Sequence, residues 1–294
     1  MTKKVTKFFL YSFLSVLLFA GGLGLFMQTP MFRSMVRSTL YTFLAKEINA
    51  EIYIGEINGN IVNGFTVDTV MMYVDRAPFL ESGKISVRFR LLDIIGNKIT
   101  IDSATLENPS ITLTRRKNGE WNVNRLVKNP RPADTTESTL IVTAGRVRII
   151  NARFHLIDST GEFDRQIVDR NGKPSINYRN IVLEKIDIDL HGMYSEQKLD
   201  VTVAHCSFVS PKEKFVLKQF SADLYRTAKR STIKNLVIST PDSYIKSSIS
   251  MDNLDALTIS TMEDLRRGHL SLSVSPSHIL SRDMQVFLPS LDFM

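Results

Sequence analysis

Ile186-Asp187-Ile188-Asp189-Leu190-His191 is the stretch that decides the fold. Apolar and polar residues alternate through it, and a period of two places successive side chains on opposite faces of an extended strand. Ile186, Ile188 and Leu190 then share a greasy face, with Asp187, Asp189 and His191 on the wet one. A helix would wrap the same residues around its whole circumference, leaving no apolar side to bury.

Outward from this stretch the pattern recurs. Toward the C-terminus come Leu199, Val201 and Val203, then Phe215 and Leu217. Toward the N-terminus come Val147, Ile149, Phe154 and Leu156, then Ile111 and Leu113, Leu106, and Ile99 and Ile101. Ile85, Val87 and Phe89 follow, then Phe65 and Val67, and finally Ile52 and Ile54. Val70, Met72 and Val74 continue from Phe65 and Val67 on a shifted phase, which predicts a bulge. Asn58-Gly59, Asn63-Gly64, Gly96-Asn97, Asn118-Gly119 and Asn171-Gly172 punctuate the series as turn signals. No long helix is expected between residues 50 and 260. The predicted architecture is mainly β, a long curled antiparallel sheet.

Two β segments, 50–127 and 139–294, are separated by a loop at 128–138 that carries Pro130, Pro132 and several threonines. Leu106–Leu113 can be laid on Ile149–Leu156, 43 residues on, with apolar positions matched and Asn108 over Asn151. Such an echo hints at repeating hairpins. A short helix is expected at 277–287, after Ser275-Pro276, and the stop at Met294 among apolar residues reads as a truncated second segment.

Lys3, Lys4 and Lys7 precede an uncharged run from Phe8 to Met27. Twenty such residues at ~1.5 Å rise span about 30 Å, the thickness of a bilayer's hydrocarbon core. Residues 1–28 therefore read as a single membrane anchor. A cleaved signal peptide is the alternative, with Ala20-Gly21-Gly22 as its small-residue site, and both readings export the main body. Thr29-Pro30 then looks like an N-cap and first helical residue. Phe32, Val36, Leu40, Phe43 and Leu44 follow at helical spacing, so 29–49 is expected to be an amphipathic helix plugging the end of the sheet.

The net charge is +7, but Lys and Arg are dispersed, with only short clusters such as Arg115-Arg116-Lys117 and Arg266-Arg267. With no basic helix or aromatic–basic repeat, nucleic acid is not an expected partner. Cys206 is the sole cysteine, so no internal disulfide exists. His205 lies beside it, yet strand neighbours point to opposite faces and cannot share a metal. Ser243-Tyr244-Ile245-Lys246 formally fits an S-x-x-K acylation motif but lacks its companion elements. Trp121 reads as a packing anchor at a hairpin. Neither catalytic groups nor cofactor ligands emerge, and a non-enzymatic role is the expectation.

Several features together resemble a known family. Ile54-Gly55-Glu56-Ile57-Asn58-Gly59 is followed by Asn63-Gly64-Phe65-Thr66-Val67. Further on, Ile111-Thr112-Leu113-Thr114-Arg115 precedes Asn118-Gly119-Glu120-Trp121-Asn122. Phe215–Phe220 and Asn235–Ser243 extend the likeness. The chain resembles the AsmA-like family, and most the N-terminal region of its TamB-type branch, the inner-membrane subunits of the translocation and assembly module. The resemblance implies a taco-shaped sheet around an apolar groove and a main body in the periplasm. It also implies a role in outer-membrane protein assembly, an outer-membrane barrel partner, and phospholipid as cargo. The apolar positions of the alternating strands, from Ile85 to Val203, would then line the groove. A closed β-sandwich acting as a scaffolding or binding module of the envelope is the alternative.

Overall fold

The computed structural model describes residues 26, 29–60, 63–90, 98–126, 128, 141–169, 171–195, 197–227, 229–252 and 269–288. The expected anchor at 1–28, Phe26 apart, lies outside them, as does the 128–138 loop beyond Lys128. Among the described residues no helix is long and apolar enough to cross a membrane.

Helix α1 (Pro30–Glu47) starts as its sequence dictates: the Thr29 hydroxyl accepts from Phe32 N at 3.3 Å, and Pro30 occupies the first turn. It packs on β1 (Glu51–Ile54) and β2 (Ile57–Asn60), which lie at one edge of the sheet, rather than across the sheet's end. Phe32 is buried, whereas Met31, Met35, Leu40 and Tyr41 are exposed. Only part of the expected apolar stripe therefore faces protein.

The chain then meanders. β3 (Gly64–Val67), β4 (Val70–Val74), β5 (Ala77–Ser82), β6 (Lys84–Arg90), β7 (Lys98–Glu107) and β8 (Ser110–Arg115) precede a 3-10 turn at Asn122–Arg125. β9 (Ile141–Asp158) is followed by a small two-stranded excursion, β10 (Ile167–Val168) and β11 (Pro174–Ser175). β12 (Asn180–Ser195), β13 (Lys198–Ser210), β14 (Phe215–Thr227), β15 (Arg230–Ser239), β16 (Tyr244–Asp252) and β17 (His269–Val274) follow, then helix α2 (Ser281–Phe287). All strands but β10 and β11 join one 15-stranded sheet, which does not close on itself.

The sheet is mixed rather than antiparallel throughout. β7 and β8 lie end to end along one side of β9, and both run parallel to it. The reason is the crossover: after Arg115 the chain returns to begin β9 at the same end where β7 began. The two halves of the molecule thus share one sheet. The 43-residue echo marks neighbours in parallel register, Leu106 beside Ile149, Ile111 beside Phe154 and Leu113 beside Leu156, not repeated hairpins.

A crease crosses the sheet at one level. β1 and β2 are parted at Gly55-Glu56, β3 and β4 at Asp68-Thr69, β5 and β6 at Gly83, and β7 and β8 at Asn108-Pro109. Gly55 N donates to Thr69 O at 2.8 Å, Gly83 N to Glu107 O at 3.1 Å and Asn108 N to Ile150 O at 2.8 Å. β9 carries Asn151 there at φ 53°, β12 carries Lys185 at φ 51°, and β15 carries Asn235 at φ 51°. Asn is among the few non-glycine residues that tolerate this left-handed region. The Asn151 side chain also donates to Asn108 Oδ1 at 2.7 Å, locking adjacent kinks together. Register shifts carry the line on through β12, β13, β14, β15 and β16. An extra residue bends a strand and steepens its twist. A row of them at one level bends the sheet as a unit. The phase change read at Val70 is one member of this row.

Turns follow their chemistry. Asp75 and Arg76, at φ 50° and 65°, close the β4–β5 hairpin in the doubly left-handed form that suits strand twist. Gly64 at φ 95° begins β3 where a Cβ would lie 2.6 Å from the Val87 carbonyl oxygen. Asn63-Gly64 and Asn58-Gly59 thus flank a single hairpin rather than marking two.

Candidate functional site

Cross-strand partners project to the same side of a sheet, so the register identifies its faces. One row runs Ile85, Leu106, Ile149, Ile188, Cys206, Phe220, Ile238, Ile245, each the pairing partner of the next. A second runs Phe65, Val87, Ala104, Val147, Leu190, Val203, Ala222. A third runs Phe89, Ile101, Ala144, Gly192, Val201, Leu224, Ile233, Ile249, Leu272. Ile99 reaches Leu199 through Val142 and Tyr194. Beyond the crease, Ile111 pairs with Phe154 and Leu113 with Leu156, while Ile186 pairs with Ala152. All the apolar positions read from alternation between Ile85 and Val203 therefore lie on one continuous face.

That face is open along most of its length. Ile99 is 38% exposed, and the other positions expected from alternation between Ile85 and Val203 are partly buried; the small Ala104 and Ala152 between them are buried. Leu270, Leu272 and Val274 on β17 are 66%, 63% and 58% exposed, where the face runs out to the far edge. A recess of about 200 Å3 on it is lined by Leu199, Leu224, Ile233, Ile249 and Met251. Sequence reading missed the last four; for Ile233 the bulge at Asn235 on the same strand breaks the alternation that would have announced it.

One end of the face is covered. Val286 of α2 forms a small core with Phe215 and Leu217, and Phe208, Phe220, Ile238 and Phe287 pack around it. Phe215 and Phe287 meet edge to face at 5.0 Å. Polar contacts seat the helix. Ser243 Oγ donates to Asp283 Oδ2 at 2.6 Å and accepts from Leu280 N at 2.9 Å; Ile176 N donates to Val286 O at 2.8 Å. The fully buried Asp169 carboxylate faces Arg282 at 3.4 Å.

The opposite face is polar and internally paired. Asp187 accepts from Asn151 N at 2.8 Å, at the crease. Arg146 Nε donates to Asp189 Oδ2 at 3.1 Å, and this pair holds the Asp189 carboxyl below the usual range. Asp223 accepts from Asn235 at 2.7 Å and Thr202 at 2.8 Å, and is lowered by those two bonds.

The residues weighed for chemistry have structural work. His205 pairs with Asp189 on the polar face and Cys206 with Ile188 on the apolar one, so they point apart. Burial raises the Cys206 thiol. No cluster of His, Cys, Asp or Glu among the described residues has metal-binding geometry. Ser243 is buried under α2 as a bracket, which explains the chance S-x-x-K spacing. Arg115 stacks over Trp121 at 5.5 Å, and Asn122 bonds Thr112 O at 2.9 Å and Thr114 N at 3.1 Å. The Gly-Glu-Trp-Asn turn thereby clamps the β8 backbone. Arg116 pairs with Asp75 at 3.0 Å, tying this turn to the β4–β5 hairpin.

No protein-family model matches this chain, and no curated protein aligns with it.

Proposed function

We propose that this is a membrane-anchored periplasmic protein of the AsmA-like, TamB-type kind, in which the bent sheet forms an apolar β-groove that carries phospholipid and supports outer-membrane protein assembly. The observation that carries the reading is the open apolar face. Rows of Ile, Val, Leu and Phe cross the sheet strand after strand, yet the residues expected to line a groove are only partly buried. Facing sheets of a closed sandwich interlock and bury such positions, so partial exposure favours a trough over the scaffolding alternative.

The energetics suit a cargo of hydrocarbon. Each methylene removed from water contributes about 0.8 kcal/mol, so ten on this face gain at most roughly 8 kcal/mol. No polar anchor point along the trough is required, consistent with side chains that act collectively. The N-terminal anchor read from Phe8–Met27 would place the groove beside an inner membrane, with an outer-membrane barrel as the distal partner. The charge supplies no reason to include nucleic acid.

Native mass spectrometry of the full chain released from membranes tests this. Retained phospholipid is expected in the wild type, and Val87→Asp, Phe89→Asp and Leu113→Asp should strip it while leaving the fold intact. A lipid-free chain, or variants that unfold outright, would sink the conduit in favour of a packed sandwich.

A further inference from the structure

Beside the β1–β2 edge of the sheet, α1 and β2 border an open recess of about 220 Å3 lined by Pro30, Arg33, Ser34, Arg37, Glu56, Ile57 and Asn58. At ~30 Å3 per water this is room for roughly seven waters, ample for a phosphate group. Arg33 and Arg37 are four residues apart and so share one side of the helix. Asn58 Oδ1 accepts from Arg33 Nη1 at 2.9 Å, which aims the guanidinium, while Arg33 Nε is buried without any hydrogen-bond partner. Arg33, Arg37 and Glu56 all line the recess, two positive side chains to one negative, which gives it a net charge of +1. Ile57 gives the cavity its other character. It is 6% exposed and pairs with Val67, which pairs with Ile85, so it belongs to the first row of the apolar face.

A cationic pocket whose wall is also the start of a hydrocarbon-compatible face matches an amphiphile with a phosphate head. We infer that Arg33 and Arg37 bind the phosphate of an anionic phospholipid whose tails run onto the row Ile57, Val67, Ile85, Leu106. This rests on the conduit reading and adds to it the point where cargo is recognised. Arg fits because its planar fork meets two phosphate oxygens at once. Glu56 opposes the charge and keeps the hold weak, as release toward the groove requires.

The test uses the full chain in phosphatidylcholine nanodiscs containing equal minor amounts of phosphatidylglycerol and diacylglycerol. Native mass spectrometry reads which lipid leaves with the protein. The wild type should favour phosphatidylglycerol by about tenfold, the worth of one net charge-assisted hydrogen bond. Arg37→Gln, which spares the Arg33–Asn58 bond, should remove most of that preference, and R33Q/R37Q all of it, with total retained lipid unchanged. Glu56→Gln should sharpen the preference, an outcome a purely structural role for these side chains does not produce. An undiminished preference in R33Q/R37Q would overturn the site while leaving the conduit standing. Inorganic phosphate bound in an Arg37-dependent way, without any lipid preference, would make this a free-anion pocket and overturn the headgroup assignment. If no variant retains lipid at all, the conduit fails and the inference with it.

Discussion

Two parts of the same apolar face behave differently. At one end Phe215, Leu217 and Val286 are 6%, 8% and 3% exposed. Along the middle, Val87, Val147 and Val203 occupy equivalent inward positions and are only partly buried. Side-chain type does not separate the two groups, since Phe215 and Leu217, like the three valines, are large apolar residues on alternating strands. What separates them is a second layer: α2 lies over the first group, and no described element covers the second. Strand alternation assigns a residue to a face; burial is decided by whatever arrives to cover that face.

The sharpest way to break this comparison is to truncate both groups. Phe215→Ala should cost about 3 kcal/mol, because a packed aromatic leaves a cavity its neighbours only partly fill. Urea midpoints would reveal it, and a change below ~1 kcal/mol would mean that α2 does not seal that end. Next in size is the helix's polar seat. Asp283 accepts from the Thr240 and Ser243 hydroxyls, whose residues are 6% and 5% exposed. Asp283→Ala leaves both unsatisfied and should cost about 2 kcal/mol. Limited proteolysis should then cut near residue 280 first.

The crease should respond on a smaller scale. Asn151→Ala removes the short polar side chain that makes the left-handed region tolerable and should cost about 1 kcal/mol, whereas Asn151→Gly, with no β-carbon, should be nearly neutral. Equal losses from the two would show that the side-chain bond to Asn108, not backbone conformation, holds the kink. In the open middle, Val87→Asp should shift the thermal midpoint by less than ~1 kcal/mol equivalent, since the carboxylate reaches water. A collapse there would reveal a hidden covering layer.

Acidity gives the smallest effect. The carboxyls of Asp189 and Asp223 are held down by Arg146 and Asn235 in turn, and that of Asp158 by Thr160. A carboxyl depressed in the folded state stabilises it above the unfolded value, about 4, and that contribution disappears as pH falls through the folded one. Midpoints should be flat from neutrality to about pH 5 and decline below about pH 4. Asp189→Asn should flatten the decline. An unchanged acid limb would show that the polar face contributes nothing through these pairs.

Much of this was legible in the sequence, and the exceptions share a cause. Strict alternation at Ile85–Phe89 and Ile186–Leu190 reports a local property, the pleat, which needs no knowledge of neighbours. The Thr29-Pro30 helix start and the Asn118-Gly119 turn are equally local, for capping and left-handed φ are set within a few residues. The strand Arg230–Ser239 was obscured because a bulge at Asn235 shifts the phase mid-strand. The cavity at Arg33 and Arg37 could not be read because Asn58 and Ile57, which complete it, come from a strand twenty residues away.

The linear order of residues thus determined strand character, which side chains share a face, and where helices and turns begin, because each depends on a repeat or a cap within one turn or pleat. Only the tertiary structure decided that β7 and β8 run parallel to β9, that the kinks align in one crease, and that α2 covers one end of the face while the middle stays open. Those outcomes depend on which distant segments meet, and a long strand offers the same hydrogen-bonding edge to a parallel neighbour as to an antiparallel one.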